Sequence, residues 1–434
     1  MKKTIFSLLV LMSLGFAAKA QAQQNVYICR GYAYDTYPVN ATTDVKVAAD
    51  KQSITVAGET YLMTDFDSIT FTEPQFEKIV VKYNGSTASV SIPAKYTDVK
   101  CASGTSSHVV INSSTTSKEY LYSIEGTSAD GSFTLNGNYK LTLELSGVNL
   151  TSSKGAAVDV ECGKRIDVFL RQGTVNTFVD KASGDQKAAF YSKGHLEFKG
   201  SGTLNITGRA KHALGAKEYI EFKGSLGTVN ILGAVSDGIH CGKGEKGDGE
   251  NNYFRMNGGD VTITDCKSDC IDSDDYGCVK IKGGNLTLNV SALDGVGIKC
   301  DSIFQQTGGN IVANVTATNG EGIRASYSAT FSGGVLTENI SGKAGIGVRG
   351  KYAENATKNY VLRGGDIKFS GTTATMTLSG ASYSGVPCMG ILAEKNLYFS
   401  AGSVTLIKAN SSAQYYLCNG EGEVYETSGV LIKQ

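Results

Sequence analysis

Several features are missing from this chain, and each absence argues against a class of function. Its 434 residues contain no Trp, only 4 Pro and 4 His, and equal numbers of basic and acidic residues, 41 of each. Balanced charge removes the electrostatic basis for binding nucleic acid. A second long hydrophobic run is also missing. We therefore expect neither nucleic-acid binding nor a membrane span.

The one hydrophobic run lies at the N-terminus and has the features of a secretory signal. Lys2 and Lys3 precede it, and small residues follow in A-x-A spacing up to Ala22. The run is shorter than the roughly 20 residues that span a bilayer. We predict that the mature chain is secreted, or held at the cell surface or in the periplasm.

A repeat of about 25 residues dominates the chain from residue 201 onward. Gly-containing turns precede short strands with apolar residues two positions apart, such as Val261 and Ile263, although Glu338 breaks this pattern. Period-two alternation turns one face of each strand inward. A unit of this length without helical periodicity predicts an all-β parallel β-helix, in which stacked coils share an apolar interior.

The segments that flank the repeat have different patterns. Before it, two stretches alternate as antiparallel strands with turn residues between them, and after it the repeat is lost. We predict a signal peptide at 1–22, a small antiparallel β-rich module at 23–112, the parallel β-helix at 113–409 and a C-terminal cap at 410–434.

A second marker shares the period and places acids at equivalent positions. The segments SDGIH, SDCID, LDGVG and GEGIR each carry an acid two residues before an apolar residue. Carboxylates stacked roughly 5 Å apart repel by about 1 kcal/mol in water and about 3 kcal/mol at a dielectric of 20. A hard cation such as Ca²⁺ would remove this repulsion. The predicted metal ligands are Asp237, Asp269, Asp272, Asp274, Asp294 and Glu321. The alternative is that these acids are turn residues that point into water.

Residues for catalysis are fewer. The sequence has no G-x-S-x-G motif and no clear Ser/His/Asp order. Paired acids for glycoside hydrolysis are available among the same aspartates, and Lys299, Arg324 or Arg349 could serve as the base of a lyase. Nothing in the sequence selects one pair.

The stretch LTLELSGVNLTSSKGAAVDV (141–160), together with AAFYSKGHLEFKGSGTLNITG, SDGIH and the GG strands, resembles a known family. It is similar to the bacterial secreted carbohydrate-binding domain-containing proteins over about 141–405. The resemblance implies a right-handed, pectate-lyase-like β-helix that carries Ca²⁺ and binds cellulose or acidic plant polysaccharides. It makes Asp237, Asp269 and Asp294 calcium ligands. Because Trp is absent, Tyr would have to supply any ring that stacks on a sugar.

We therefore predict an exported, monomeric, calcium-binding β-helix protein that binds an acidic, pectin-like polysaccharide without catalysis. Two alternatives stay open, a polysaccharide lyase or glycoside hydrolase on the same scaffold, and a structural or adhesive surface protein. The predicted polysaccharide-binding residues are His240, Tyr276, Lys299, Arg324 and Arg349.

Overall fold

The computed structural model shows an all-β chain, without a helix among the residues that it describes. The described residues are 25–30, 33–39, 45–64, 66–74, 76–242, 253–274, 276–351, 353–355, 360–362, 364–419 and 422–434. The predicted signal peptide and Asp275 lie outside them. No described segment forms a helix long and apolar enough to cross a membrane.

The first six strands are short: β1 (Asn25–Arg30), β2 (Ala33–Pro38), β3 (Val45–Val47), β4 (Ser53–Val56), β5 (Glu59–Leu62) and β6 (Ser68–Thr70). The next sixteen are β7 (Ile79–Asn84), β8 (Thr87–Ser91), β9 (Val99–Cys101), β10 (His108–Ser113), β11 (Leu121–Ser128), β12 (Ser132–Asn136), β13 (Leu141–Thr151), β14 (Val158–Glu161), β15 (Arg165–Leu170), β16 (Val175–Val179), β17 (Ala188–Ser192), β18 (His195–Lys199), β19 (Thr203–Gly208), β20 (His212–Ala216), β21 (Ile220–Phe222) and β22 (Thr228–Ala234).

The remaining strands are β23 (Ile239–Cys241), β24 (Tyr253–Met256), β25 (Asp260–Ile263), β26 (Ile271–Ser273), β27 (Cys278–Ile281), β28 (Asn285–Val290), β29 (Val296–Cys300), β30 (Ile303–Val315), β31 (Glu321–Ala325), β32 (Ser328–Ile340), β33 (Ile346–Gly350), β34 (Ala353–Asn355), β35 (Tyr360–Leu362), β36 (Asp366–Leu378), β37 (Met389–Ala393), β38 (Leu397–Lys408), β39 (Gln414–Cys418), β40 (Val424–Glu426) and β41 (Leu431–Lys433).

Two large sheets contain most of these strands. A 13-stranded sheet runs from β9 to β39, and a 20-stranded sheet runs from β7 to β41, with one or two of its strands between successive strands of the first sheet over most of the chain. Most pairs in both sheets are parallel, and the partner often lies 25 residues further along, as for Leu286 and Ile311 or Ile298 and Ile323. The sequence period therefore corresponds to the separation between paired strands.

The prediction of an open, right-handed parallel β-helix is wrong. In the 20-stranded sheet, additional pairings join strands that are not neighbours in the main order, for instance β13 with β16 and β15 with β18. The sheet contains a closed parallel β-barrel of 12 strands rather than an open stack of coils. The physical reason is that a repeat fixes only the sequence separation of paired strands. Closure depends on additional pairings, which the period does not specify.

The N-terminal strands form two small antiparallel sheets. One has the order β2-β1-β6 and the other the order β3-β4-β5. They have a small core of their own, built around Ile28, Val56 and Tyr61. In contrast, β7 pairs with β11 and β10 pairs with β12. The strands between residues 79 and 113 are therefore part of the two large sheets.

One apolar core connects the two large sheets. It extends from Ile79 to Leu431 and takes side chains from both sheets. Equivalent residues stack within it, since the Phe331 ring lies on Phe369 at 4.7 Å and Phe369 on Phe399 at 5.5 Å. Burying each such ring contributes about 1.5–3 kcal/mol. This core fixes the register of the strands that carry the polar sites.

Glu338 is an ionisable residue inside this core. It pairs in register with Ala313 and Met376, is 0% exposed, and has no hydrogen-bond partner on either carboxyl oxygen. Its carboxyl group occupies the space left by Gly322 and Gly347, where a Cβ atom would collide with it. Burial raises the pKa of Glu338 to about 8.

Glu338 should therefore make stability fall as pH rises. Between its ordinary pKa of 4.5 and about 8, the unfolded chain releases this proton while the folded chain retains it. This group alone lowers the free energy of unfolding by about 1.4 kcal/mol per pH unit over that window. We expect Glu338→Gln to remove this slope, as measured by denaturant unfolding at pH 5, 6.5 and 8.

Glu426→Gln is the matched control because Glu426 is exposed. It should keep the slope of the unsubstituted chain. Equal pH slopes for the Glu338→Gln variant and the unsubstituted chain would contradict the prediction.

Candidate functional site

Strand pairing in the 13-stranded sheet aligns polar side chains into a row across its outer face, here called the outer column. His240 pairs with Asp272, Asp272 with Lys299, Lys299 with Arg324, and Arg324 with Arg349. Because parallel strands lie about 4.8 Å apart, these five residues are near neighbours. The register thus brings four of the five predicted polysaccharide-binding residues into one row with Asp272.

A second row, the inner column, lies two residues before the apolar position of each strand. Its members are His212, Asp237, Asp269, Val296 and Glu321. All five are buried. The inner and outer columns together form the candidate site.

Asp237 is the centre of the first part of the site. Its Oδ2 atom lies 3.0 Å from His212 Nδ1 and 3.3 Å from His240 Nδ1, and the two imidazole rings stack at 4.1 Å. Its Oδ1 atom accepts a hydrogen bond from the backbone N–H of Asp269 at 3.2 Å. Burial alone would raise the pKa of Asp237, but the hydrogen bonds from His212 and His240 hold it well below its ordinary range.

Lys299 is the centre of the second part. Its ammonium group lies 3.0 Å from Asp272 Oδ2, 3.6 Å from Asp269 Oδ2 and 3.7 Å from Asp274 Oδ1. Asp269 also accepts a hydrogen bond from the backbone N–H of Val296 at 2.8 Å. One cation therefore faces three carboxylates, which leaves an excess of negative charge.

Burial and crowding change the protonation of these groups. Burial raises the pKa of Asp272 to about 7, because the attraction of Lys299 only partly opposes it. Burial also raises the pKa of Asp269. Burial alone would lower the pKa of Lys299. The surrounding carboxylates, Asp272 first, outweigh this effect and raise the pKa above its ordinary value. Near neutral pH Asp272 is therefore partly protonated.

Three overlapping groups in this region have the donor atoms that a metal ion needs. They are His212 with Asp237 and His240, His240 with Asp272 and Asp274, and Asp237 with Asp269 and Asp272, and within each group the donor atoms lie within 4.8 Å of one another. Asp272 Oδ1 is buried and has no hydrogen-bond partner. Carboxylate oxygens at this spacing fit a hard cation such as Ca²⁺.

Glu321 lies in the inner column but is neutralised by arginines. Its carboxylate is 2.6 Å from Arg324 Nε and 3.1 Å from Arg349 Nη1. Arg349 also bonds Glu394 at 2.6 Å. The structure thus gives Glu321 two cationic partners and does not include it in the metal-binding groups.

Asp294 is also separate from these groups. Its side chain is exposed, its backbone is left-handed with φ of 59°, and its Oδ1 accepts a hydrogen bond from Asn319. The expected alignment placed Asp294 beside Asp269, but Ile271 pairs with Ile298, so Val296 takes that place. The connection before β29 is longer by two residues, and Asp294 lies in its turn.

Tyr276 lies in the turn after β26, next to the outer column. It is half-buried and has a left-handed backbone, with φ of 69°. Sequence reasoning missed His212, although a signal was present. His212 stands two residues before Leu214, just as Asp237 stands two residues before Ile239, so the same spacing rule finds it.

The structure defines a class of protein, an all-β domain with a row of charged side chains across one large sheet. Residues 105–424 match the family model described as carbohydrate-binding domain-containing protein. Because this match covers most of the 434 residues, the chain belongs to that family. The family resemblance predicted from sequence is confirmed, and carbohydrate binding is supported.

One curated relative and one solved structure are similar to the chain. A carbohydrate-binding domain-containing protein from Acetivibrio thermocellus is 25% identical over 122 residues, which cover 26% of this chain. The match spans 43% of that relative's length. The gadolinium derivative of a polysaccharide lyase-like protein from C. thermocellum has a TM-score of 0.40 and 15% identity, and covers 78% of this chain and 99% of its own.

The register of the inner column can be tested by stability. Asp269→Ala removes the acceptor of the buried Val296 N–H and a partner of Lys299, so we expect a loss of about 1–3 kcal/mol. Asp294→Asn should change stability by less than about 0.5 kcal/mol, because Asn tolerates the left-handed backbone and keeps the acceptor for Asn319. Urea unfolding measures both. Equal losses in the two variants would contradict this register.

Proposed function

We propose that this chain is an exported protein that binds an acidic, pectin-like polysaccharide along the outer column, with Ca²⁺ at the neighbouring acids and without cleaving the polymer. The observation that carries the proposal is the register that sets Lys299, Arg324 and Arg349 side by side on adjacent strands. The carbohydrate-binding family supports the class of ligand. Export rests on the predicted signal peptide.

The three basic side chains are suited to a polymer with regularly spaced carboxylates. Each is partly exposed, between 22% and 27%, so its charged end can contact a ligand. The two arginines are held by Glu321, which restricts their freedom before a ligand arrives. Preorganised guanidinium groups bind carboxylates with a smaller entropic cost. A row of them favours an extended acidic chain over a single small anion.

The acids next to this row support the calcium part of the proposal. Asp237, Asp269 and Asp272 bring carboxylate oxygens within 4.8 Å of one another, and one oxygen of Asp272 is without a hydrogen-bond partner. Ca²⁺ would supply the positive charge that a single lysine does not. Lys299 contacts two of these acids, so the ion and the ammonium group compete for them.

This competition predicts the effect of removing the lysine. We expect Lys299→Met to bind Ca²⁺ at least about 10-fold more tightly than the unsubstituted chain, because the acids lose their internal cation. Calorimetric titration after chelator treatment measures the affinity, and the shift of the melting temperature with Ca²⁺ checks it.

Lys280→Met is the matched control, since Lys280 projects outward from the 20-stranded sheet, between Arg255 and Gln305 in register. It should leave Ca²⁺ affinity unchanged. The calcium part fails if neither the unsubstituted chain nor Lys299→Met binds Ca²⁺.

The polysaccharide part predicts retention on immobilised polygalacturonate. Arg324→Gln combined with Arg349→Gln should reduce binding by about 10-fold or more, because two charge-assisted contacts are lost. Lys280→Gln should bind normally. Affinity electrophoresis on polygalacturonate and on a neutral glucan gives the comparison, with an unfolding curve for each variant.

Two results would overturn this part. Equal retention of the double variant and the control would show that the polysaccharide does not bind at the outer column. Release of unsaturated or reducing ends during incubation would instead favour a lyase or a hydrolase. Asp272 would then be the first residue to substitute, because a pKa of about 7 suits general acid–base catalysis.

A further inference from the structure

We propose that His212, Asp237 and His240 form a binding site for a Zn²⁺-class transition-metal ion, which overlaps the proposed calcium site at Asp237. This inference goes beyond carbohydrate and calcium binding and does not depend on either. It concerns the part of the candidate site that offers nitrogen atoms. The site offers two imidazoles and one carboxylate, with donor atoms within 4.8 Å of one another.

The donor chemistry favours a transition metal. Imidazole nitrogen is a common ligand of Zn²⁺, whereas Ca²⁺ takes oxygen ligands almost exclusively. Two ligands bonded to Zn²⁺ in a tetrahedral arrangement lie roughly 3.3 Å apart. The distances from Asp237 Oδ2 to the two Nδ1 atoms are 3.0 and 3.3 Å, close to this value. The three atoms are thus spaced as ligands before any ion binds.

Both nitrogen atoms face Asp237 at hydrogen-bond distance, and a metal ion would replace the protons that they share with it. His212 Nδ1 lies 3.0 Å from Asp237 Oδ2 and 3.4 Å from the backbone N of Asp237. His240 Nδ1 is buried and lies 3.3 Å from Asp237 Oδ2. Parallel stacking of the rings brings both nitrogen atoms to the same carboxylate oxygen.

A second observation points to a missing ligand. Oδ1 of Asp272, a residue that is 4% exposed, has no hydrogen-bond partner. Asp272 Oδ2 lies 3.9 Å from His240 Nδ1, at the edge of the site. Buried polar atoms without partners are costly and rare. Asp272 can serve as a fourth ligand from a position that is already desolvated.

His240 links this site to the surface. Its side chain is 20% exposed, and its Nε2 atom lies 4.0 Å from the Asp274 carboxylate. An ion can therefore enter from the outer column without opening the core. Because Asp237 belongs to both metal-binding groups, we expect Zn²⁺ and Ca²⁺ to weaken the binding of each other.

The test uses the full chain without a histidine tag, after chelator treatment. Calorimetry with Zn²⁺ should show one tight site, and Co²⁺ should give the intense visible absorption of tetrahedral coordination. We expect His240→Ala and His212→Asn each to weaken Zn²⁺ binding at least about 10-fold, the loss caused even by changes outside the first ligand shell. The same substitutions should leave Ca²⁺ affinity within about twofold, since neither imidazole belongs to the all-carboxylate group.

His195→Ala is the matched control, because His195 also pairs with a carboxylate, Glu218, at 2.6 Å, but has no second histidine beside it. It should keep both Zn²⁺ affinity and the Co²⁺ spectrum. His212 is buried, so His240→Ala decides the outcome if His212→Asn fails to fold, as judged by its unfolding curve. Equal Zn²⁺ affinity in His240→Ala and His195→Ala, or a Co²⁺ spectrum without tetrahedral bands, would overturn the proposal. Loss of Ca²⁺ or polysaccharide binding alone would not.

Discussion

In-register pairing of parallel strands is the constraint on which the rest of this structure depends. It stacks equivalent residues about 4.8 Å apart, so whatever occurs at one position of a repeat meets its counterpart in the next. In the core this brings Phe331, Phe369 and Phe399 together. On the outer face it brings charges together, and each charge then needs a partner on a neighbouring strand. The polar contacts of the candidate site follow from that need.

The carboxylates are balanced by different partners in the two halves of the site. Around Asp237 the partners are imidazoles, and around Asp272 the partner is Lys299. Around Glu321 the partners are arginines, which leaves little negative charge unbalanced. The acids of the first half outnumber their cations, and burial makes protonation part of the balance, as the raised pKa of Asp272 shows. Excess negative charge in one half and partly exposed cations in the other are the physical basis for separating metal binding from polymer binding.

The sequence predicted the period and the residue types more reliably than the geometry. Alternation and the Gly-containing turns were sufficient to predict an all-β chain with parallel strands, because both are local features. Closure of the 20-stranded sheet was not predictable, since it depends on pairings between distant strands. The position of Asp294 was missed because two additional residues in the connection before β29 shift the pairing in the 13-stranded sheet, while the next pair in the 20-stranded sheet keeps its separation of 25 residues. His212 was missed because its segment matches the marker only weakly, although it has the same spacing.

Val296 explains why the inner column does not act as one continuous acidic row. It occupies the place between Asp269 and Glu321, and an apolar side chain there offers no ligand and no charge. The group of aspartates therefore ends at this strand, and Glu321 on the next strand is paired with Arg324 and Arg349. Lys299 pairs in register with Asp272 on one side and Arg324 on the other, so it lies between the two halves. Its ammonium group contacts Asp269 and Asp272, so the same side chain belongs to the row of basic residues and to the group of acids.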